Sequence, residues 1–111
     1  MKGHRMITIK ENNIFKKAYN RGKKEVAFNL VLYYVPNRGN TRLGITVSKK
    51  IGKAVVRNRI RRLVRESWRS FCVKEGFDVV IVARNAAAGS NFASIRKSLS
   101  ELLEKSGLIE Q

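Results

Sequence analysis

Arginine recurs with helical spacing in the middle of this sequence, at Arg57, Arg61, Arg65 and Arg69. An α-helix turns about 100° per residue, so these side chains, together with those at positions 58 and 62, fall within an arc of about 140°. A guanidinium group can hold a phosphate with two parallel hydrogen bonds and can stack on a base. The spacing therefore predicts a helix face that binds phosphates.

An ordinary solvent-exposed helix face is the alternative interpretation of this charge. Such faces usually alternate positive and negative side chains, because opposite charges four residues apart attract. Here the basic residues from 49 to 69 share the stretch with a single acid, Glu66. The whole chain has 24 Lys and Arg against 8 Asp and Glu, a formal net charge of +16. Its own carboxylates cannot neutralise that excess, so a polyanionic partner is implied.

Aromatic residues form a second pattern. Phe15 and Tyr19 are one helical turn apart, Tyr33 follows in an apolar segment, and Lys16 lies at the rim. Unpaired bases stack on such rings while neighbouring lysines attract the backbone. Core packing explains Phe15 and Phe28 about equally well, whereas tyrosine hydroxyls need a partner, which favours partial exposure of the tyrosines.

Residues suited to protein-based catalysis are sparse. The chain has one histidine, His4, one cysteine, Cys72, one aspartate, Asp78, and scattered glutamates. A protein nuclease normally needs clustered carboxylates or a histidine acid–base pair, and a single cysteine builds neither a disulfide nor a cysteine-based metal site. No long apolar span, signal peptide or lipidation motif is present. We therefore expect a cytoplasmic protein with no catalytic residues, metal ligands or membrane partner.

The elements that position these residues follow from periodicity and turn residues. Helices are predicted at about 12–22, 55–73 and 91–107, and strands at 26–35, 43–48 and 77–83. The order α-β-β-α-β-α indicates a single domain, 1–111, with the α/β (α+β) fold of a two-layer sandwich, in which helices cover a small mixed sheet. The first two strands are expected to pair as a hairpin. The third strand is apolar throughout and is expected inside the sheet.

The stretch from 42 to 69, RLGITVSKKIGKAVVRNRIRRLVRESWR, resembles the signature of the protein component of bacterial ribonuclease P. The resemblance centres on the segments KKIG at 49–52, RNR at 57–59 and RRLVR at 61–65. Chain length, the Phe15-x-x-x-Tyr19 pattern, the LVLYY and FDVVIVAR segments and the closing amphipathic helix agree with it. The resemblance extends over nearly the whole chain.

This resemblance implies a subunit of a ribonucleoprotein endonuclease that removes the 5′ leader from precursor transfer RNA. Catalysis would depend on magnesium and reside in the RNA subunit, which would also hold most of the metal. The implied partners are the catalytic RNA and precursor transfer RNA, with no DNA and no membrane. The resemblance also implies an unusual left-handed crossover through the arginine-rich helix, against the usual right-handed expectation.

Two sets of site residues follow from the same resemblance. The RNA-subunit-binding residues would be Lys49, Lys50, Lys53, Arg57, Asn58, Arg59, Arg61, Arg62 and Arg65. The leader-binding residues would be Phe15, Lys16, Tyr19 and Tyr33. Two other functions compete with this one: a structural RNA-binding protein of the ribosomal kind, which would use the same basic helix, and a nuclease that needs no RNA subunit.

Overall fold

The computed structural model describes residues 6–109, which form five strands, three α-helices and two short 3₁₀ turns. His4 lies outside the described residues. The strands are β1 (Ile7–Thr8), β2 (Lys23–Val26), β3 (Leu30–Pro36), β4 (Arg42–Thr46) and β5 (Phe77–Ala83). The helices are α1 (Asn12–Arg21), α2 (Ala54–Arg69) and α3 (Phe92–Ser106). The 3₁₀ turns span Lys49–Ile51 and Asn85–Gly89.

The strands form one mixed sheet in the order β1-β4-β5-β3-β2. β5 lies at its centre, parallel to β4 and antiparallel to β3, as the uninterrupted apolar run predicted. Its residue Ile81 pairs with Leu32 on one side and with Ile45 on the other. A strand that is apolar on both faces is most stable at this central position, where helices and neighbouring strands exclude water from it.

The predicted hairpin between the first two long strands is wrong, because β5 lies between β3 and β4. Strands that are adjacent in sequence usually lie side by side, and that tendency favoured the hairpin. Instead, β3 pairs with β2 in a hairpin that was not predicted, since the run from 26 to 35 is apolar except for Asn29 and was assigned to one strand. The run divides at a turn that Ala27 closes by donating its backbone N–H to the carbonyl of Leu30, at 2.8 Å.

α1 begins at Asn12, as predicted, with Glu11 as its N-cap and no side-chain capping bond. One helix boundary differs from the predictions. α2 ends at Arg69 rather than near residue 73, because Val73 is in a backbone bridge with Ile109 and is no longer helical. By contrast, the predicted ends of α3 are confirmed: Asn91 caps its start and Gly107 follows it with a left-handed φ of 74°.

Side chains of the sheet alternate between two cores. Leu32, Leu43 and Ile81 belong to the larger core, which α2 and α3 cover. Val35 and Val80 point to the opposite face and pack against α1. The predicted α/β sandwich on a mixed sheet is confirmed, and its helices are divided between the two faces of the sheet. α2 connects the parallel strands β4 and β5, and the left-handedness of this crossover stays a prediction.

A buried ion pair joins the first residues of β4 and β5. Asp78 is 3% exposed and receives two hydrogen bonds from the Arg42 guanidinium, at 2.8 and 2.9 Å. Asn37 donates a third, at 2.7 Å. The hydrogen bond with Asp78 raises the pKa of the Arg42 guanidinium. Asp78, the one aspartate of the chain, therefore has a structural role.

Within residues 6–109 no helix has the length and apolar character needed to cross a membrane.

Candidate nucleic-acid interface

Helix α2 has the two-sided character that its sequence predicted. Its buried residues are Ile60, Leu63, Val64, Ser67 and Trp68. We call the opposite side the arginine face, which comprises Arg57, Asn58, Arg61, Arg62, Arg65 and Arg69. Asn58, Arg62 and Arg69 are exposed, and the other members are half-buried. The apolar stripe thus fixes the rotation of the helix, and the rotation presents the arginines to solvent.

The arginines of α2 have no carboxylate partner among residues 6–109. Arg61 donates to the side-chain oxygen of Asn58 at 3.1 Å, which orients both side chains at the start of the helix. The Nε of Arg57 is buried and has no hydrogen-bond partner among the described residues. A buried donor without an acceptor is costly, and a phosphate oxygen would satisfy it.

Arg59 departs from the arginine face, as its helical angle predicted. Its Nη2 donates to the backbone carbonyl of Ser90 at 2.9 Å, so it joins α2 to the segment before α3. The remaining predicted basic residues, Lys49, Lys50 and Lys53, form what we call the basic loop, and all three are exposed. Ser48 supports this loop by accepting a hydrogen bond from the backbone N–H of Lys50 at 3.2 Å.

Three predicted aromatic residues meet on the other face of the sheet. Their ring centroids are 6.4 Å apart for Phe15 and Tyr19, and 5.0 Å apart for Tyr19 and Tyr33. The second pair is nearly perpendicular, at 76°. Tyr19 is 38% exposed, and its hydroxyl hydrogen-bonds to the Thr46 hydroxyl at 2.8 Å. We call Phe15, Tyr19 and Tyr33 the aromatic cluster; it offers ring surface on which an unpaired base can stack.

Gly44 of β4 leaves the space that the Phe15 ring occupies. A Cβ at this position would lie 2.7 Å from two carbons of that ring. Neither Gly44 nor Thr46 was singled out from the sequence. The alternating pattern along 43–48 could have indicated them, because it places Gly44 and Thr46 on the face of the strand opposite Leu43 and Ile45.

Lysines surround the aromatic cluster. The ammonium of Lys24 lies 6.0 Å from the centre of the Tyr33 ring, and Lys16 is exposed on α1. Two other aromatics of the sequence are elsewhere. Tyr34 packs on the opposite face, 6.2 Å from Phe77, and Phe28 is not a core residue, since it is 64% exposed at the turn between β2 and β3.

The arginine face and the aromatic cluster approach each other at the β1–β4 edge of the sheet. A small cavity of about 80 Å³ lies there, and Phe15, Arg61 and Arg65 all contribute to its wall. Ile9 and Leu43 form part of its apolar lining. Within residues 6–109, no three histidine, cysteine or acidic side chains come together as a metal site.

A helix face of arginines with no carboxylate partner among the described residues lies near a cluster of aromatic rings with exposed lysines beside it. This combination defines an α/β protein suited to binding RNA with single-stranded segments. The family model described as Ribonuclease P matches residues 4–107. The chain belongs to the ribonuclease P protein family, whose members are the protein subunits of a tRNA-processing ribonucleoprotein enzyme.

Individual relatives agree with this family. The ribonuclease P protein component of Clostridium kluyveri is 47% identical over 105 residues, covering 90% of this chain and 94% of the relative. That of Clostridium perfringens is 41% identical over 113 residues, covering 93% of this chain and 90% of the relative. The solved RNase P protein of Staphylococcus aureus is 31% identical with a TM-score of 0.86, covering 96% of this chain and 100% of that one. The solved RNase P protein of Thermotoga maritima is 30% identical with a TM-score of 0.80, covering 88% of this chain and 96% of that one.

Proposed function

We propose that this chain binds the catalytic RNA of ribonuclease P through its arginine face, Arg59 and basic loop, and the 5′ leader of precursor transfer RNA through its aromatic cluster with Lys16. The RNA subunit would cut the leader with magnesium, which it would hold mainly by itself. Bacterial precursor transfer RNA is cytoplasmic, and the cytoplasm is the proposed place of action.

The observation that carries the proposal is the arginine face without carboxylate partners. Like charges one helical turn apart repel, and each repulsive pair costs a few tenths of a kcal/mol. Protein acceptors do not relieve this repulsion, and the buried Nε of Arg57 has no acceptor among the described residues. Phosphates would remove both penalties at once, and a structured RNA supplies them at close spacing.

The aromatic cluster supports the second half of the proposal. A duplex keeps its bases stacked on one another, so exposed rings are of use mainly to unpaired nucleotides. Tyr19 presents such a ring, and its hydroxyl is already bound to Thr46, which holds the ring in one orientation. A single-stranded leader could stack here while Lys16 and Lys24 attract its phosphates.

The assignment also gives the protein a role in the magnesium requirement. Folded RNA and its substrate repel each other, and divalent cations reduce that repulsion. A protein with a net charge of +16 adds fixed positive charge at the point where the two RNAs meet. We therefore expect the protein to lower the magnesium concentration that cleavage needs.

Reconstitution tests the proposal directly. Precursor cleavage is measured with the catalytic RNA at low magnesium, with and without the protein, and binding is compared for precursor and mature transfer RNA. We expect cleavage to depend on the protein and binding to favour the precursor. Equal affinity for both substrates would favour a structural RNA-binding role, and cleavage without the RNA subunit would favour a protein nuclease.

A further inference from the structure

Three loops meet at one end of the sheet because of the strand register. Leu30 at the start of β3 pairs with Ala83 at the end of β5, and Thr46 at the end of β4 pairs with Val82. The β2–β3 turn and the segments that follow β4 and β5 therefore leave the sheet together. We call this region the loop end; it comprises residues 27–29, 48–55 and 84–92.

Apolar side chains are exposed at the loop end. Phe28 is 64% exposed, Val55 is 74% exposed and Phe92 is 40% exposed. A single exposed apolar side chain is ordinary, but three at one end of the sheet, two of them aromatic, offer apolar surface that a partner can cover. Phe28 is the more exposed of the two aromatic residues.

The turn that carries Phe28 is firmly held. Asn29 is fully buried, and its side-chain N–H groups donate to Ser90 at 3.0 Å and to Ser94 at 3.3 Å. Arg84 holds the other side of the turn, since its guanidinium donates to the carbonyl of Ala27 at 2.8 Å. Its backbone N–H also donates to the carbonyl of Asn29 at 2.9 Å. The backbone that carries Phe28 is thus held in place, so a partner that covers the ring need not order the turn.

The charge of the loop end indicates the class of that partner. Its three segments contain Lys49, Lys50, Lys53 and Arg84 and no acidic residue. Exposed aromatic and basic side chains together, without carboxylates, favour an unpaired nucleic-acid strand. The loop end also adjoins α2, because its segment 48–55 leads into that helix and Arg59 of α2 donates to the carbonyl of Ser90.

We propose that Phe28 stacks on an unpaired base of the catalytic RNA, and that Arg84 and the basic loop bind the phosphates beside that base. The inference rests on the proposed function and extends it, because Phe28 belongs neither to the arginine face nor to the aromatic cluster. The catalytic RNA is the partner rather than the leader, since the loop end adjoins the start of α2 while the aromatic cluster lies on the α1 face.

Binding of the full-length variant Phe28→Ala to the catalytic RNA tests this contact. Loss of one stacked base weakens binding by about 5- to 100-fold. The salt dependence of binding stays that of the wild type, because no charge is removed. Phe28→Tyr keeps the ring and restores affinity. Val26→Thr, an exposed β2 position that is 44% exposed, is the matched control and leaves affinity unchanged.

Fluorescence of Phe28→Trp identifies the nucleic acid that reaches the site. The natural tryptophan, Trp68, is 7% exposed and gives a constant background. We expect the catalytic RNA to quench the new indole and precursor transfer RNA alone to leave it unquenched. Quenching by precursor alone, or undiminished binding of Phe28→Ala, would overturn the inference and leave the proposed function standing. A wild-type protein that does not bind the catalytic RNA would overturn both.

Discussion

The arginine face and the aromatic cluster lie on opposite sides of one sheet and are held in different ways. On the arginine face, Arg61 hydrogen-bonds to Asn58 of the same helix. The aromatic rings instead constrain one another, with Tyr19 packed edge-on to Tyr33 and hydrogen-bonded to Thr46. Charge acts over several ångströms and tolerates imprecise placement, whereas stacking depends on contact. Substitutions on the arginine face should therefore change the salt dependence of RNA binding, whereas substitutions in the aromatic cluster should act through the position of the rings.

The double variant Arg57→Ala/Arg61→Ala should have the largest effect, because both charges are lost. Charge-assisted hydrogen bonds contribute about 1.5–3 kcal/mol each, so affinity for the catalytic RNA should fall at least 100-fold. Each lost phosphate contact should also reduce the log–log salt slope by about 0.7 to 0.9. Binding titrations at several salt concentrations measure both quantities. An unchanged slope would show that these arginines do not contact phosphate.

Tyr19→Ala should have the next largest effect, and only on leader recognition. Loss of one stacked base costs about 1–3 kcal/mol, so the preference for precursor over mature transfer RNA should fall by about 5- to 100-fold. Affinity for the catalytic RNA should not change. The control Tyr19→Phe keeps the ring and removes the hydrogen bond to Thr46. If the Ala variant still distinguishes precursor from mature transfer RNA, the aromatic cluster is not the leader site.

Gly44→Ala tests whether the shape of the aromatic cluster matters. The added methyl group would lie 2.7 Å from the Phe15 ring, which would have to move. Overpacking of this kind lowers the free energy of unfolding by about 1–3 kcal/mol. Displacement of the Phe15 ring should also weaken precursor binding. Gly39→Ala is the matched control, since a Cβ there has no neighbour within 4 Å. Equal precursor affinity for the two variants would mean that the position of Phe15 is unimportant.

Lys24→Ala should have the smallest effect, about two- to threefold weaker precursor binding that high salt abolishes. Lys23→Ala is its matched control. It removes the same charge from the same strand, but Lys23 pairs with Tyr34 and points to the other face, whereas Lys24 pairs with Tyr33. Comparison of the two variants in low and high salt separates local attraction to the leader from the general effect of net charge. Equal losses of precursor affinity in the two variants would indicate that only the net charge of the protein matters.

The features that the sequence predicted correctly depend on local pattern. The buried stripe of α2, the apolar β5 and the Asn91 and Gly107 caps of α3 all follow from residues close to one another in the chain. The predicted pairing of β3 with β4 was wrong because strand order depends on the whole set of apolar faces, and chain proximity favoured the hairpin.

The site residues also differ in whether a local sequence pattern predicts them. The arginine face follows from helical rotation alone, and the structure places its members together on one side of α2. The contact of Tyr19 with Thr46 joins residues 27 positions apart and required the tertiary structure. The role of Gly44 also required the tertiary structure. The sequence does not show that the Phe15 ring occupies the space that a side chain at position 44 would fill. The roles of all these residues in binding RNA stay predictions.

The edges of the sheet have a consequence for the protein at high concentration. β1, at one edge, has 2 residues, and β2, at the other, has 4 and begins with two lysines. An exposed edge can serve as a template on which another chain adds a strand and starts aggregation, and short or lysine-bearing edges oppose this. Within the described residues, both edges should therefore disfavour edge-to-edge association of copies, although the chain has exposed aromatic rings.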